Sequence, residues 1–333
     1  MIRLRDFLSA NPTARLHGPI TAERFDRFCF DSRIAGPGEL FLAVRTARAD
    51  GHDFVEAACR AGATGAVCQR PMDLAAMGAT CVVVDDTEAA IRRYAAHVVR
   101  SWSPTVVAVT GSAGKTTTKE MVAHVLAGER RVFRNPANYS GRFGLPVALG
   151  ELEPRHEIAV LEMSVDHFGE MPLLCEMAPP QVAAVTVIAP AHLAAFGELD
   201  AIAREKGGLV EALPADGLAI LNADDPRVAD MAGRSRAPVV WLGRAGESGS
   251  DRALSFGYRD VEIGLDGTRF TLVAAGASLP VHLPWLGGHF ALCALVAFAV
   301  GRRLGLRLED VAERLANLPA VAGRLRPLAG RCG

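Results

Sequence analysis

The run Val106-Val107-Ala108-Val109-Thr110-Gly111-Ser112-Ala113-Gly114-Lys115-Thr116-Thr117-Thr118 constrains this chain more than any other feature. Small apolar residues lead into a Gly-rich turn that ends in Gly-Lys-Thr, and a helix-forming run follows. That order predicts a buried strand, a phosphate-binding loop and a helix. Backbone N–H groups from Gly111, Ser112, Ala113, Gly114 and the following Thr117, with the positive end of the helix, cradle a polyphosphate. Lys115 adds a point charge and the Thr116 hydroxyl can reach a magnesium ion, so ATP and Mg2+ are the expected cofactors. The full pattern places a further Gly where this chain has Val109, which narrows the match to Gly111 through Lys115. The competing reading is a Gly-rich strand-to-helix turn with a surface lysine.

With 333 residues, half of them apolar, the chain can bury one large core or two ordinary ones, and two domains are expected. A formal charge of -1 leaves no basic stripe to neutralise a nucleic-acid backbone, so nucleic acid is excluded as a partner. Seven cysteines, an odd number with no C-x-x-C pair, read as small buried residues of a reducing compartment. The first ten residues lack the apolar core of a signal peptide, which points to the cytoplasm. The longest apolar stretch, 283–300, is interrupted by Pro284, Gly287, Gly288 and His289, so a buried helix is expected there and no membrane span.

The fold class read from the pattern is α/β: a small N-terminal α/β domain and a P-loop domain with a mostly parallel sheet and an added antiparallel ribbon. In the first, 1–103, strands are expected over 40–44, 64–68 and 80–84 and helices over 54–61 and 88–99. Ser101-Trp102-Ser103-Pro104 marks its end. In the second, 104–319, a helix runs to Leu126 and is closed by Gly128. Further buried strands are expected over 158–163, 182–188 and 218–221. Runs over 261–265 and 268–273 flank Asp266-Gly267, a hairpin signal, and helices over 291–304 and 308–315 follow. Residues 320–333, rich in Arg and Gly, read as a stub.

Ligands of an open parallel sheet sit beyond the carboxyl ends of its strands. Glu162 ends an apolar run and is a candidate second magnesium-holding position, against the simpler reading of an acidic strand cap. His192 lies just past the run that ends at Ile188. Lys206 falls in the apolar stripe of Ile202, Leu209, Val210 and Leu213, an inward placement that is costly unless the amine is paired, neutral or snorkels out. Asn222-Ala223-Asp224-Asp225-Pro226 reads as a polar turn that can contact a base or ribose. Asp31-Ser32-Arg33 and Asp50-Gly51-His52-Asp53 are polar clusters that either bind a phosphate or cap a helix.

In this order the segments resemble the Mur ligase family of peptidoglycan synthesis. The likeness runs from Asp31-Ser32-Arg33 and Asp50-Gly51-His52-Asp53-Phe54 through Thr110 to Thr117, Asn138 and Gly144-Leu145-Pro146. It continues with Glu162-Met163, Gly169-Glu170-Met171, Ala191-His192-Leu193, Lys206-Gly207, Leu221 to Asp225, Gly288-His289 and Gly323-Arg324-Leu325. The chain departs from the family pattern at Ser140-Gly141, Val187, Gly208, Phe290 and Cys293.

The resemblance implies a UDP-sugar-binding first domain, with Ser32, Arg33 and Asn138 at the substrate, and an ATP-binding central domain. Lys115 and Thr116 would hold ATP and magnesium, Glu162 and His192 would be metal ligands, and Asn222 and His289 would lie at the nucleotide. Lys206 would be the lysine that related enzymes carbamylate into an anionic group that holds the second magnesium, and burial, which favours the neutral amine, suits it to that. The implied reaction is ATP-dependent amide-bond formation through an acyl phosphate, joining D-Ala-D-Ala to a UDP-N-acetylmuramoyl peptide. The family's third domain is expected to be missing or supplied by a separate C-terminal domain chain. A non-catalytic nucleotide- or UDP-sugar-binding module and a folate polyglutamate ligase are the alternatives.

Overall fold

The computed structural model describes residues 1–46, 49–136, 138–191, 193–246 and 253–319. They form two compact units. The first comprises Met1–Pro104, Asn138–His156 and Glu176–Ala178, and the second Thr105–Ala137, Glu157–Cys175 and the chain from Pro179 onward. Later segments thus return to the first unit, which no boundary at a single point along the chain expresses.

The first unit holds a five-stranded sheet in the order Arg15–His17, Thr80–Val83, Gly65–Cys68, Leu40–Leu42, Phe28–Cys29. Its first pair is antiparallel and the others are parallel. The three strands expected here form, each shortened by one or two residues, while Arg15–His17 and Phe28–Cys29 are too short to leave a periodic signal. Helix Thr87–Trp102 begins where the Asp86 carboxylate accepts the Ala89 N–H at 2.7 Å, and ends at Ser103, whose φ of 48° breaks the helix before Pro104. Ala90, Ile91, Tyr94, Ala95 and Val98 form its buried face. Tyr94 packs against Phe7 and Phe28, each with ring centroids 5.6 Å away.

The second unit is built on a nine-stranded sheet ordered Ala277–Leu283, Gly267–Ala274, Phe256–Gly264, Val239–Arg244, Leu218–Asn222, Val182–Val185, Thr105–Thr110, Ile158–Glu162, Val132–Arg134. Pairs from Val132–Arg134 as far as Phe256–Gly264 are parallel and the last two are antiparallel. Val107, Val109, Val160, Val182 and Ile220 share one core with the inner faces of helices Lys115–Ala127 and Phe290–Arg303. The second of these helices is buried along most of its length, and among the described residues no helix is long and apolar enough to cross a membrane.

Three details differ from the sequence expectation. Gly264 pairs with Gly267, so the hairpin turns on Leu265 and Asp266, and Gly267 adopts φ +137° where a side chain would strike the Leu283 carbonyl. Gly128 ends the P-loop helix with φ −64° and so makes no left-handed cap; the Arg314 guanidinium fills the space a Cβ would need. Strand Val239–Arg244, blurred by Trp241 and Gly243, and strand Ala277–Leu283, interrupted by Ser278 and Pro280, went unexpected. The described cysteines are buried free thiols, as expected. Residues 320–333, with Gly323-Arg324-Leu325, lie outside the described residues.

Candidate functional sites in the two units

Strand Thr105–Thr110 is flanked on both sides by parallel neighbours, Ile158–Glu162 and Val182–Val185, so the carboxyl ends of all three open onto the Gly-rich turn. The turn needs two residues in the left-handed half of backbone space, and both are glycine: Gly111 at φ +143° and Gly114 at φ +81°. A Cβ on Gly111 would collide with Thr186 Oγ1. That hydroxyl donates to the Ala113 carbonyl at 2.6 Å, and the Ser112 N–H donates to the Val187 carbonyl at 2.7 Å. From the other flank, Thr110 Oγ1 donates to the Met163 carbonyl at 2.8 Å. The loop is therefore held by its neighbours and does not wait on a ligand for its shape.

Lys115 opens the helix and folds its Nζ back to the Gly111 carbonyl at 2.9 Å and the Ser112 carbonyl at 3.4 Å. Burial pushes its pKa down, with Glu162 and Asp166 opposing. Ser112 Oγ is buried with no hydrogen-bond partner among the described residues. An unsatisfied hydroxyl of this kind costs about 1–3 kcal/mol, which a phosphate oxygen seated in the turn would relieve.

Thr116 Oγ1 donates to Glu162 Oε2 at 2.7 Å, which brings together two of the sequence candidates for holding a metal. Glu162 is 4% exposed at the end of its strand, and Ser164 Oγ lies 3.4 Å from its other oxygen. A threonine hydroxyl and a carboxylate beside a phosphate-binding turn are the donor set that magnesium takes with substrate phosphates and water. The residues present fit that ion. His192, a further expected ligand, lies outside the described residues.

Helix Leu199–Glu211 turns Ile202, Lys206, Leu209 and Val210 inward, as the spacing predicts, and buries Glu205 beside them. Lys206 is 2% exposed, and its amine makes no hydrogen bond among the described residues. Burial, followed by the charge of Lys115, lowers its pKa to about 8 against the pull of Asp166, Glu205 and Glu162. Its neighbour Glu205 is used otherwise, accepting the N–H groups of Gly169 at 3.0 Å and Met171 at 2.8 Å.

Asn222, expected to open the turn after its strand, is the strand's last residue, and its amide is taken up by the protein: Nδ2 donates to the Thr186 carbonyl at 3.0 Å and Oδ1 accepts the Asp224 N–H at 3.1 Å. In the same turn Asp225 caps helix Pro226–Asp230 and accepts the Ile188 N–H at 2.7 Å. His289 precedes helix Phe290–Arg303, with its ring centroid 4.1 Å from that of Phe290 and its pKa lowered by burial. One turn on, Cys293 Sγ sits 3.9 Å from the Gly114 carbonyl, so this helix abuts the phosphate-binding turn.

In the first unit, Ser32 and Arg33 line a cavity of about 720 Å3 with Phe30, Phe54, Arg142 and Phe143. Phe30 and Phe143 meet edge to face at 5.1 Å. The exposed Arg33 guanidinium forks onto Asp31, with bonds of 2.8 and 2.6 Å that hold the Asp31 carboxyl down at about 2. The loop bearing Gly51 on the cavity wall is pinned by His52, whose Nδ1 meets Asp50 Oδ1 at 2.5 Å while Nε2 accepts the Gln69 N–H at 2.7 Å. Asn138 belongs to this unit and is exposed, outside the cavity lining.

Sequence reasoning passed over Thr186 and Asn135. Thr186 follows an apolar strand at the carboxyl edge, the same position that singled out Glu162. Asn135 follows a three-residue strand, too short for any periodicity to place it.

Comparison with known proteins follows the same outline. The Mur ligase middle domain family matches residues 109–301, and the Mur ligase family catalytic domain matches 28–125. A curated relative from Escherichia coli, UDP-N-acetylmuramoyl-tripeptide--D-alanyl-D-alanine ligase, is 35% identical over 303 residues, covering 91% of this chain and 66% of the relative. The crystal structure of MurF from Acinetobacter baumannii superposes with a TM-score of 0.87 at 29% identity, over 99% of this chain and 71% of that one. MurF from Thermotoga maritima in complex with ADP gives 0.78 at 29%, over 92% and 69%. This chain thus spans just under two thirds of the length of the E. coli relative. On these matches, and with the fold they share, the chain belongs to the Mur ligase family.

Proposed function

We propose that the chain carries the ATP-binding and UDP-sugar-binding parts of an amide ligase that adds D-Ala-D-Ala to a UDP-N-acetylmuramoyl tripeptide. The observation that carries this reading is the 2.7 Å contact between Thr116 and Glu162 beside a Gly111-to-Lys115 turn tied by hydrogen bonds to its neighbours. The names of the relatives supply the substrates.

Lys115 and the turn's N–H groups bind and orient the β- and γ-phosphates. Thr116 and Glu162 hold magnesium, which when bound neutralises charge building on the γ-phosphate. A substrate carboxylate oxygen attacks the γ-phosphorus, ADP leaves, and an acyl phosphate forms. The dipeptide amine then attacks the acyl carbon, the amide bond forms, phosphate leaves and the amine proton passes to solvent. Positioning and charge neutralisation supply most of the rate. Lys206, neutral in a sizeable fraction near pH 8, is suited to take up carbon dioxide as a carbamate, losing a proton to solvent and gaining an anionic head next to Lys115. The cavity of the first unit takes the UDP-sugar, with Ser32 and Arg33 toward the diphosphate and the Phe30, Phe54 and Phe143 rings toward the flat base.

The test is phosphate release from ATP by the purified chain, alone and with a separately expressed third domain of the family. Release that requires both the UDP-tripeptide and the dipeptide is the expected result. Binding of both nucleotides with no release under either condition would replace the ligase by a binding module.

A further inference from the structure

We propose that Asn135 is a positioning residue for Glu162, a side chain that stands in for a missing peptide rung and locks the carboxylate onto Thr116. The proposal rests on reading Thr116 and Glu162 as the metal side of the nucleotide site.

Strand Val132–Arg134 pairs with the Glu162 strand through Arg134, opposite Val160, and there the ladder stops. The pairing is not continued through Pro136, so the neighbouring strand provides no backbone rungs at Glu162. The fully buried Asn135 amide supplies them. Its Oδ1 accepts the Glu162 N–H at 2.9 Å and its Nδ2 donates to the Glu162 carbonyl at 3.1 Å. The two bonds fix both main-chain polar groups of the one residue whose carboxylate faces Thr116.

The other end of the clamp reaches the P-loop helix. Lys119, fully buried one turn after Thr116, donates from Nζ to the Asn135 carbonyl. Glu120 on the same helix pairs with Lys119 at 3.0 Å and with Arg134 at 3.1 Å. Asn135 therefore joins the helix that presents the hydroxyl to the strand that presents the carboxylate, so a shift of either changes their separation. Supporting groups of this kind govern metal affinity by about 10–100-fold.

The experiment is calorimetric titration of the full chain with ATP at graded Mg2+ and in EDTA, for wild type, Asn135→Ala and Glu162→Gln. For Asn135→Ala the half-saturating Mg2+ concentration is expected to rise about 10-fold or more, while ATP affinity in EDTA stays within about twofold of wild type. A purely structural role would lower the melting temperature and leave that Mg2+ dependence unmoved. Unmoved Mg2+ dependence in a folded Asn135→Ala, with Glu162→Gln shifted, overturns the positioning role and leaves the site reading intact. Absence of Mg2+-linked ATP binding in wild type overturns the site reading and the positioning role with it. Should the alanine variant fail to fold, Asn135→Asp keeps the volume and the acceptor but loses the donor, and the same shift is expected and the same lack of shift overturns it.

Discussion

The phosphate-binding turn of the second unit and the cavity of the first differ in how much of their geometry is already fixed. Around the turn, Thr186, Thr110, Asn135 and Glu205 are buried, and each polar side chain donates to or accepts from main chain across a strand or helix boundary. Around the cavity, Arg33 is mostly exposed and pairs with Asp31 two residues away, and Phe30 and Phe54 are partly bare. Preorganisation belongs where charge must be met at a fixed distance, and tolerance where a large flexible ligand is gathered. Substitutions in the turn should therefore alter rate, metal use and stability, and those in the cavity should alter substrate affinity alone.

The largest separation is expected from Lys115→Met. It removes the charge aimed at the phosphates and should lower phosphate release by about 10²–10³-fold, read in a coupled phosphate assay. UDP-tripeptide affinity should stay unchanged; a parallel loss there would break the contrast between the two sites.

Gly111→Ala tests whether the turn is held by its surroundings. A side chain at φ +143° that also strikes Thr186 should cost about 3 kcal/mol in chemical denaturation. A loss under about 0.5 kcal/mol would show that the loop relaxes freely.

Lys206→Met sharpens the electrostatic side of the comparison through pH. In the folded chain this amine gives up its proton near 8, against an ordinary value of 10.5. Between those values the unfolded state binds the extra proton, so stability gained from this group rises with pH across that window and is flat below it. Wild type should gain up to about 3 kcal/mol relative to the variant between pH 8 and 10, measured by denaturant titration at each pH. A flat difference would place the amine in water.

The smallest effect is expected in the first unit. Arg33→Ala should weaken UDP-tripeptide binding by about tenfold, or 1.4 kcal/mol, and leave ATP binding and the melting temperature unmoved. A drop in stability instead would make the Arg33–Asp31 fork a structural brace.

The sequence foretold most of what lies on long, regular elements. The strand before the turn, its glycines, Glu162 at a strand end and Lys206 on an inward helical face all followed from local chemistry and a period of two or 3.6. What escaped depends on distant partners. Asn135 matters because the neighbouring ladder stops at Arg134, short of Glu162, and Asn222 looked free for a ligand until Thr186 and Asp224 were seen to hold it. Gly128 suggested a left-handed cap, but its reason is Arg314 from a helix far along the chain. The hairpin turn was misplaced by one residue because Asp-Gly marks a turn without fixing its register. Strand Val239–Arg244 carries a tryptophan and a glycine that blur its alternation.

The central claim is that a triphosphate seats against the turn around Lys115 with its metal at Thr116 and Glu162. Titration of the folded full chain with MgATP in a calorimeter tests it most directly. Saturable binding of one nucleotide per chain, weakened about 100-fold or more by Lys115→Met, is the expected result. A wild-type chain with an intact melting transition and no heat of binding at millimolar MgATP would contradict it.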